Sequence, residues 1–181
     1  MEALMNETLR IIRERRSCRA YKNDDIPEDI LAAIVDAGLW APTGMNQQDR
    51  HFTVIRDKAI LDRMDKLARV VMPEDVLKRL TDRNGGNPDI SVHYFAPVLI
   101  ILSGGDTSCA IAAENICIAA QSLNIGSCML GLAVNLFDKD ETLARDLNIP
   151  AGMSPRIGVA LGYIANQTPE QIRNPGQVTY L

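Results

Sequence analysis

The segment "RERRSCRAY" sets Arg13, Arg15, Arg16 and Arg19 around Ser17, with Glu14 as its one acid. A guanidinium grips phosphate through a two-pronged fork, and a serine hydroxyl adds a donor. The same cations could instead complement the negative end of a helix and remain solvated. Composition alone favours the solvated helix end. It argues against nucleic acid: the chain has a formal charge of −4, no second basic stretch of similar density, and only 4% aromatic residues for stacking on bases.

Three more segments could carry chemistry. "APTGMNQQDRHF" brings Asn46, Gln47 and Gln48 beside the turn residues Pro42, Thr43 and Gly44. Amides donate and accept at once, which suits the edge of a heterocycle as well as an ordinary helix-to-strand loop. In "NIGSCMLGLAVN" a short strand ends at Gly131, before Leu132. That glycine is either a bend or a place where backbone approaches a flat ligand. Arg173, in "RNP", reads on its own as a solvated cation. The two histidines, His51 and His93, are far apart and no C-x-x-C pair exists, so no metal site is expected.

The elements that must position these residues follow from periodicity. Helical spacing through Leu4, Leu9 and Ile12 runs up to the arginines. A second helix starts at Pro27, carries Ile30, Leu31, Ile34, Val35 and Leu39, and stops before Pro42 and Gly44. "HFTVIRD" reads as a strand and "KAILDRMDKLARVV" as a helix. Residues 73–93, with "NGGNPD", read as a loop with at most one short helix, a candidate cover for a site. "APVLIILSGG" is a buried strand. "DTSCAIAAENICIAAQSLNIG" is apolar nearly all round, so it is the expected central helix, capped by Asp106 or Thr107 and ended by Gly126. "SCML", "KDETLARDLNIP" and "RIGVALGYI" give strand, helix and strand. The order predicts an α+β or α/β protein with about four strands in one domain, residues 1–181. The tail, residues 166–181, has little core signal and needs a surface to lie on.

The chain of 181 residues can bury roughly 70% of its unfolded surface without staples. Cys18, Cys109, Cys117 and Cys128 lack framework spacing, which suggests a reducing compartment. No stretch has the length and apolarity of a signal peptide core or a membrane span, so the expected setting is the cytoplasm, with no membrane partner.

Taken in order, "RRSCRAY", "APTGMNQQ", "APVLIIL" with the helix after it, "IGSCMLG", "RIGVALGYI" and the final arginine before "NP" resemble the short members of the nitroreductase family of FMN-dependent oxidoreductases. The resemblance covers nearly the whole chain. It implies an α+β fold of three layers, α/β/α, with a central mixed sheet flanked by helices and a C-terminal tail extended over a partner subunit. It implies a homodimer with FMN at the subunit interface. By position Arg15, Arg16 and Ser17 match the residues that hold the FMN phosphate and ribityl chain. Arg19 matches a basic residue near the flavin pyrimidine edge, where a cation stabilises negative charge. Arg173 matches a residue that closes on the phosphate. Pro42, Thr43, Asn46 and Gln48 match a loop reaching the flavin from the partner. Gly131 and Leu132 match the segment whose backbone meets the ring near N5. Arg13 matches no role.

The implied reaction is ping-pong: NAD(P)H gives hydride to flavin N5, leaves, and an oxidised acceptor such as a nitroaromatic or quinone takes its place. The resemblance assigns no catalytic side chain. Dehalogenation, enoate reduction or a protein electron donor are alternatives on the same fold, and a non-enzymatic phosphate binder is another. Two departures stand out. The family often continues its amide loop as Gln-Pro-Trp, whereas this chain has Gln48-Asp49-Arg50, and residues 73–88 contain no aromatic to shape a substrate pocket. The cysteines read as core, with Cys18, beside arginines, the one whose thiolate would be favoured. The last residues, "QVTYL", would add an edge strand to a partner's sheet.

Overall fold

The strand "VLIILSG" organises the molecule, because its alternate side chains feed two separate cores. A computed structural model describes residues 4–166, 168–174 and 178–179. In it β2 (Val98–Gly104) sends Val98, Ile100 and Leu102 to one face and Leu99 and Ile101 to the other. Side chains of a strand alternate by two, so a strand that is apolar throughout must be covered on both faces. Each fully buried Ile or Leu contributes roughly 1.5–3 kcal/mol.

β2 is flanked by β1 (Arg50–Ile55) and β4 (Pro155–Gly162), and β3 (Gly126–Leu130) lies outside β4. The order is β1-β2-β4-β3, and each of these pairings is antiparallel. The class is α+β, in three layers. Among the described residues the parallel component of the expected mixed sheet is confined to one bridge, Ser17 with Ser127.

One face is covered by α2 (Glu28–Leu39) and α5 (Asp106–Ser122). The other is covered by α3 (Lys58–Val71), α4 (Glu74–Arg83) and α6 (Glu141–Asp146). α5 is central, as its sequence requires: Cys109, Ala112, Ala113, Ile116, Cys117 and Ala120 are fully buried. It starts one residue earlier than expected, with Gly105 as its cap, and it stops before Gly126. Asn124 takes the left-handed conformation that ends it, at φ +59, and Ile125 N–H returns to Ala120 O at 2.8 Å. α4 is a ten-residue helix where mostly loop was expected. Pro73 fixes its entry, Glu74 and Asp75 suit its positive end, and Leu80 is buried.

α1 (Glu7–Glu14) is capped by Asn6, whose side chain accepts from Leu9 N–H at 2.9 Å. Of its apolar residues only Ile11 is buried, while Leu9 and Ile12 are exposed. Among the described residues no helix is long and apolar enough to cross a membrane. The expected edge strand "QVTYL" falls largely outside the described residues.

Candidate functional site

The arginine segment is placed by the edge of the sheet. Cys18 N–H donates to Ser127 O at 2.8 Å, and Ser17 bridges Ser127 in parallel. Lys22 N–H then donates to Tyr163 O, and Ala165 N–H returns to Ala20 O, both at 2.9 Å. The segment is thus stitched between β3 and the chain leaving β4. Gly126 makes the approach possible: a methyl there would lie 3.0 Å from Cys18 Sγ and 2.7 Å from Ile164 Cγ1. Cys18 is consequently buried. Burial pushes its thiol up, against a smaller opposing effect of Arg19, so the expected thiolate is not favoured.

With the backbone fixed, the arginines converge. Arg15, Arg16, Ser17, Arg19 and Arg173 line one cavity of about 350 Å³, joined by Thr168 and Gln171, and among the described residues no acid lines it. Arg16 Nη1 donates to the carbonyls of Arg13 and Arg15, closing the end of α1. The two readings of the cluster therefore combine: one cation serves a helix end and lines a cavity. Arg15 Nε lies 3.5 Å from Glu114, and Arg16 Nη2 lies 3.9 Å from Glu170. Arg13 is exposed and does not line the cavity.

Arg19 also borders a neighbouring hollow of about 270 Å³ with Arg83, Asn84 and Gly85. Arg19 Nε and Asn84 Nδ2 are buried and have no hydrogen-bond partner among the described residues. A buried donor without an acceptor is costly, roughly 1–3 kcal/mol, and points to a group that would complete it. Arg83 and Asn84 are not among the residues expected from the sequence, where residues 73–93 read as a loop with at most one short helix. The signal is the "NGG" stop, which puts Asn84 at the C-terminal cap of α4.

The amide loop lies elsewhere on this chain. Pro42, Thr43, Gly44 and Gln47 border a separate hollow of about 730 Å³ that shares no lining residue with the arginine cavity. Met45, Asn46 and Gln48 hold φ of +52, +55 and +50. Non-glycine residues in that region cost on the order of 1 kcal/mol each and persist only where surroundings enforce them. Here Thr43 Oγ1 accepts from Gln48 N–H at 3.0 Å. Arg50 Nη2 donates to Leu39 O at 2.6 Å and Ala41 O at 2.7 Å, at the end of α2. Asp49 O accepts from Gly105 N–H at 3.0 Å, at the start of α5. The Asp49-Arg50 pair, which departs from the family's pattern, is a latch that holds the loop between two helix ends.

Gly131 follows β3 directly and is exposed, and a methyl added there would meet nothing within 4 Å. It stands four residues past Ser127, about 13 Å along the strand by ordinary strand rise. Leu132 faces a small apolar pocket with Val71, Met72, Val76 and Leu136. The structure therefore gathers Arg15, Arg16, Ser17, Arg19 and Arg173 in one place. It sets Gly131 and Leu132 at the end of the strand beside them, and keeps Pro42, Thr43, Asn46 and Gln48 apart.

The nitroreductase family model matches residues 12–85. A crystal structure of a nitroreductase with bound FMN from Desulfitobacterium hafniense DCB-2 is 31% identical, covers 98% of this chain and 100% of its own, and superposes with a TM-score of 0.88. One from Bacteroides fragilis NCTC 9343, also with bound FMN, is 31% identical with the same coverage and a TM-score of 0.85. A protein of Methanothermobacter thermautotrophicus, whose name pairs NADH dehydrogenase with NAD(P)H nitroreductase, is 27% identical over 94% of this chain and 80% of its own length. The matched span holds both the arginine segment and the amide loop, and the whole-chain likeness extends to the strand that ends at Gly131: this chain belongs to the nitroreductase family.

Proposed function

We propose that residues 1–181 form one FMN-binding domain of a homodimeric oxidoreductase that moves hydride from NAD(P)H to a small oxidised acceptor, such as a nitroaromatic or quinone. The observation that carries this reading is the acid-free cavity of Arg15, Arg16, Ser17, Arg19 and Arg173. Its donors fit FMN. The phosphate takes guanidinium forks, and the pyrimidine carbonyls are acceptors for a site with two unpartnered buried donors, Arg19 Nε and Asn84 Nδ2. When bound, FMN supplies hydride chemistry at its N5, so no acid or base of the protein is required.

The chain's own residues bind and orient. Arg15, Arg16, Ser17 and Arg173 hold the phosphate and ribityl chain. Arg19 places positive charge at the pyrimidine edge, and Asn84 donates there. The open space over Gly131 lets backbone approach the ring. Pro42, Thr43, Asn46 and Gln48 complete the site from a second subunit, which explains why they lie away from the arginines on one chain. Exposed Leu9, Ile12, Leu39, Trp40, Met45 and Ile111 supply apolar surface for that subunit to cover. One ring face then serves nicotinamide and acceptor in turn, which is ping-pong kinetics.

The deciding experiment is a visible spectrum of the purified protein and chromatography of what heat releases. A yellow protein that releases FMN and oxidises NADH or NADPH with menadione or a nitroaromatic is expected. A protein that binds no FMN on titration overturns the cofactor reading. FMN without turnover on either nicotinamide overturns the donor.

A further inference from the structure

Arg15 and Arg16 each have a carboxylate within 4 Å, but Arg19 makes no ion pair among the described residues. Its guanidinium lies over the ring of Tyr94, 5.8 Å from the centroid. Its other hold is weak, a 3.4 Å contact from Nη1 to Ser17 O. We propose that Tyr94 is a positioning residue for the flavin site: it seats Arg19 beneath the pyrimidine edge without neutralising it. The inference rests on the FMN reading above.

The choice of an aromatic has a physical reason. A carboxylate would fix the guanidinium and cancel the charge it offers to a ligand. The face of a ring attracts a cation through its quadrupole and leaves the net charge intact. The ring must then be rigid, and the structure fixes it with unusual care. Tyr94 is 4% exposed, and both Tyr94 and Phe95 hold φ of +56, a conformation that bulky residues rarely adopt. Ser91 Oγ accepts from Phe95 N–H at 3.0 Å and from His93 N–H at 3.3 Å. Asp65 Oδ1 accepts from Val92 N–H at 2.8 Å. His93 lies between Asp65 Oδ2, 3.2 Å from Nε2, and Ala96 O, 3.1 Å from Nδ1. Asp65 of α3 and the turn of residues 91–96 thus hold one strained corner, and that corner sets the Tyr94 ring against the guanidinium of Arg19, which itself lines the cavity.

The test is the reduction potential of the FMN-loaded protein. Arg19→Gln is expected to shift it negative, because the charge favouring reduction is gone. Tyr94→Leu is expected to shift it in the same direction, Tyr94→Phe to leave it unchanged, and Tyr94→Leu to add nothing in the Arg19→Gln background. Should Tyr94→Leu fail to fold, phenylalanine, 4-fluorophenylalanine and 3,5-difluorophenylalanine at position 94 keep the shape and weaken the ring's negative face. The potential should fall stepwise along that series. A flat series, or an inert Tyr94→Leu beside a responsive Arg19→Gln, overturns the proposal. An Arg19→Gln protein that holds FMN at unchanged potential removes Arg19 from the pyrimidine edge, and the proposal falls with it. A protein that binds no FMN at all overturns the earlier reading instead, and this one as its dependent.

Discussion

The Ser108 hydroxyl donates to the Asp49 carboxylate at 2.6 Å, tying the strained amide loop to the first turn of α5. Ser108 is buried, so the bond is shielded from competing water. Asp49→Ala removes a charge-assisted bond of about 1.5–3 kcal/mol and lowers the urea midpoint accordingly. Gly104→Ala attacks the same latch from the other side. Gly104 sits at φ +126 with its Cβ position against Asp49 O, so the added methyl destabilises at least as much. A midpoint unmoved by both changes would mean that the loop is held by Arg50 alone.

Arg16→Ala should weaken FMN retention by about 10–100-fold, the range of one charge-assisted bond pair. The apo chain should lose no more than about 1 kcal/mol, since the bonds to the Arg13 and Arg15 carbonyls cap a partly exposed helix end. Equilibrium titration with FMN and thermal melting of the apo protein separate the two effects. Full flavin content in the variant would remove Arg16 from the phosphate.

Asn84→Ala deletes a donor that has no partner among the described residues. Its signature is unusual: the apo protein should be unchanged or slightly more stable, while FMN affinity falls by about tenfold, the worth of one hydrogen bond. Asn84→Asp, which reverses the donor, should bind worse than the alanine. Calorimetric titration of the three proteins measures this directly.

All four thiols are pushed up by burial, with Cys109 and Cys117 each raised to about 11. The folded chain therefore keeps these protons at a pH where the unfolded chain loses them. For Cys109 and Cys117 the stabilising effect is complete below about pH 9 and disappears as pH rises toward 11. For Cys117 this linkage is about 3 kcal/mol. Urea midpoints at pH 8, 9 and 10 should fall for the native sequence and fall less steeply for Cys117→Ala. Thiol reagents at pH 8 should label the native protein slowly.

Much of this architecture is legible in the residues. A strand apolar at every position and a helix apolar nearly all round have only one place to go, and β2 and α5 take it. The arginine cavity is legible only through the family resemblance, because charge and spacing alone suit a solvated helix end as well as a ligand. What periodicity does not carry is direction and neighbourhood. It gives no strand polarity, so the antiparallel order had to be seen. The environment of Cys18 is set by the β3 edge and not by its arginine neighbours in sequence. Asn84 and Tyr94 come to Arg19 from distant segments, and nothing local marks either for that meeting. α4 was obscured by the turn-forming "NGGNPD" that ends it.

Because the arginine cavity and the amide loop share no lining residue, a single chain can lose one and keep the other. In a two-chain enzyme this permits genetic complementation. A subunit crippled at Arg16 and one crippled at Asn46 are each inactive with their own kind. Co-expressed, a mixed pair gathers both defects into one site and leaves the second whole. With random assembly half of all pairs are mixed, so about a quarter of the sites regain function. Two dead alleles would make a living enzyme, and only if the loop crosses between chains.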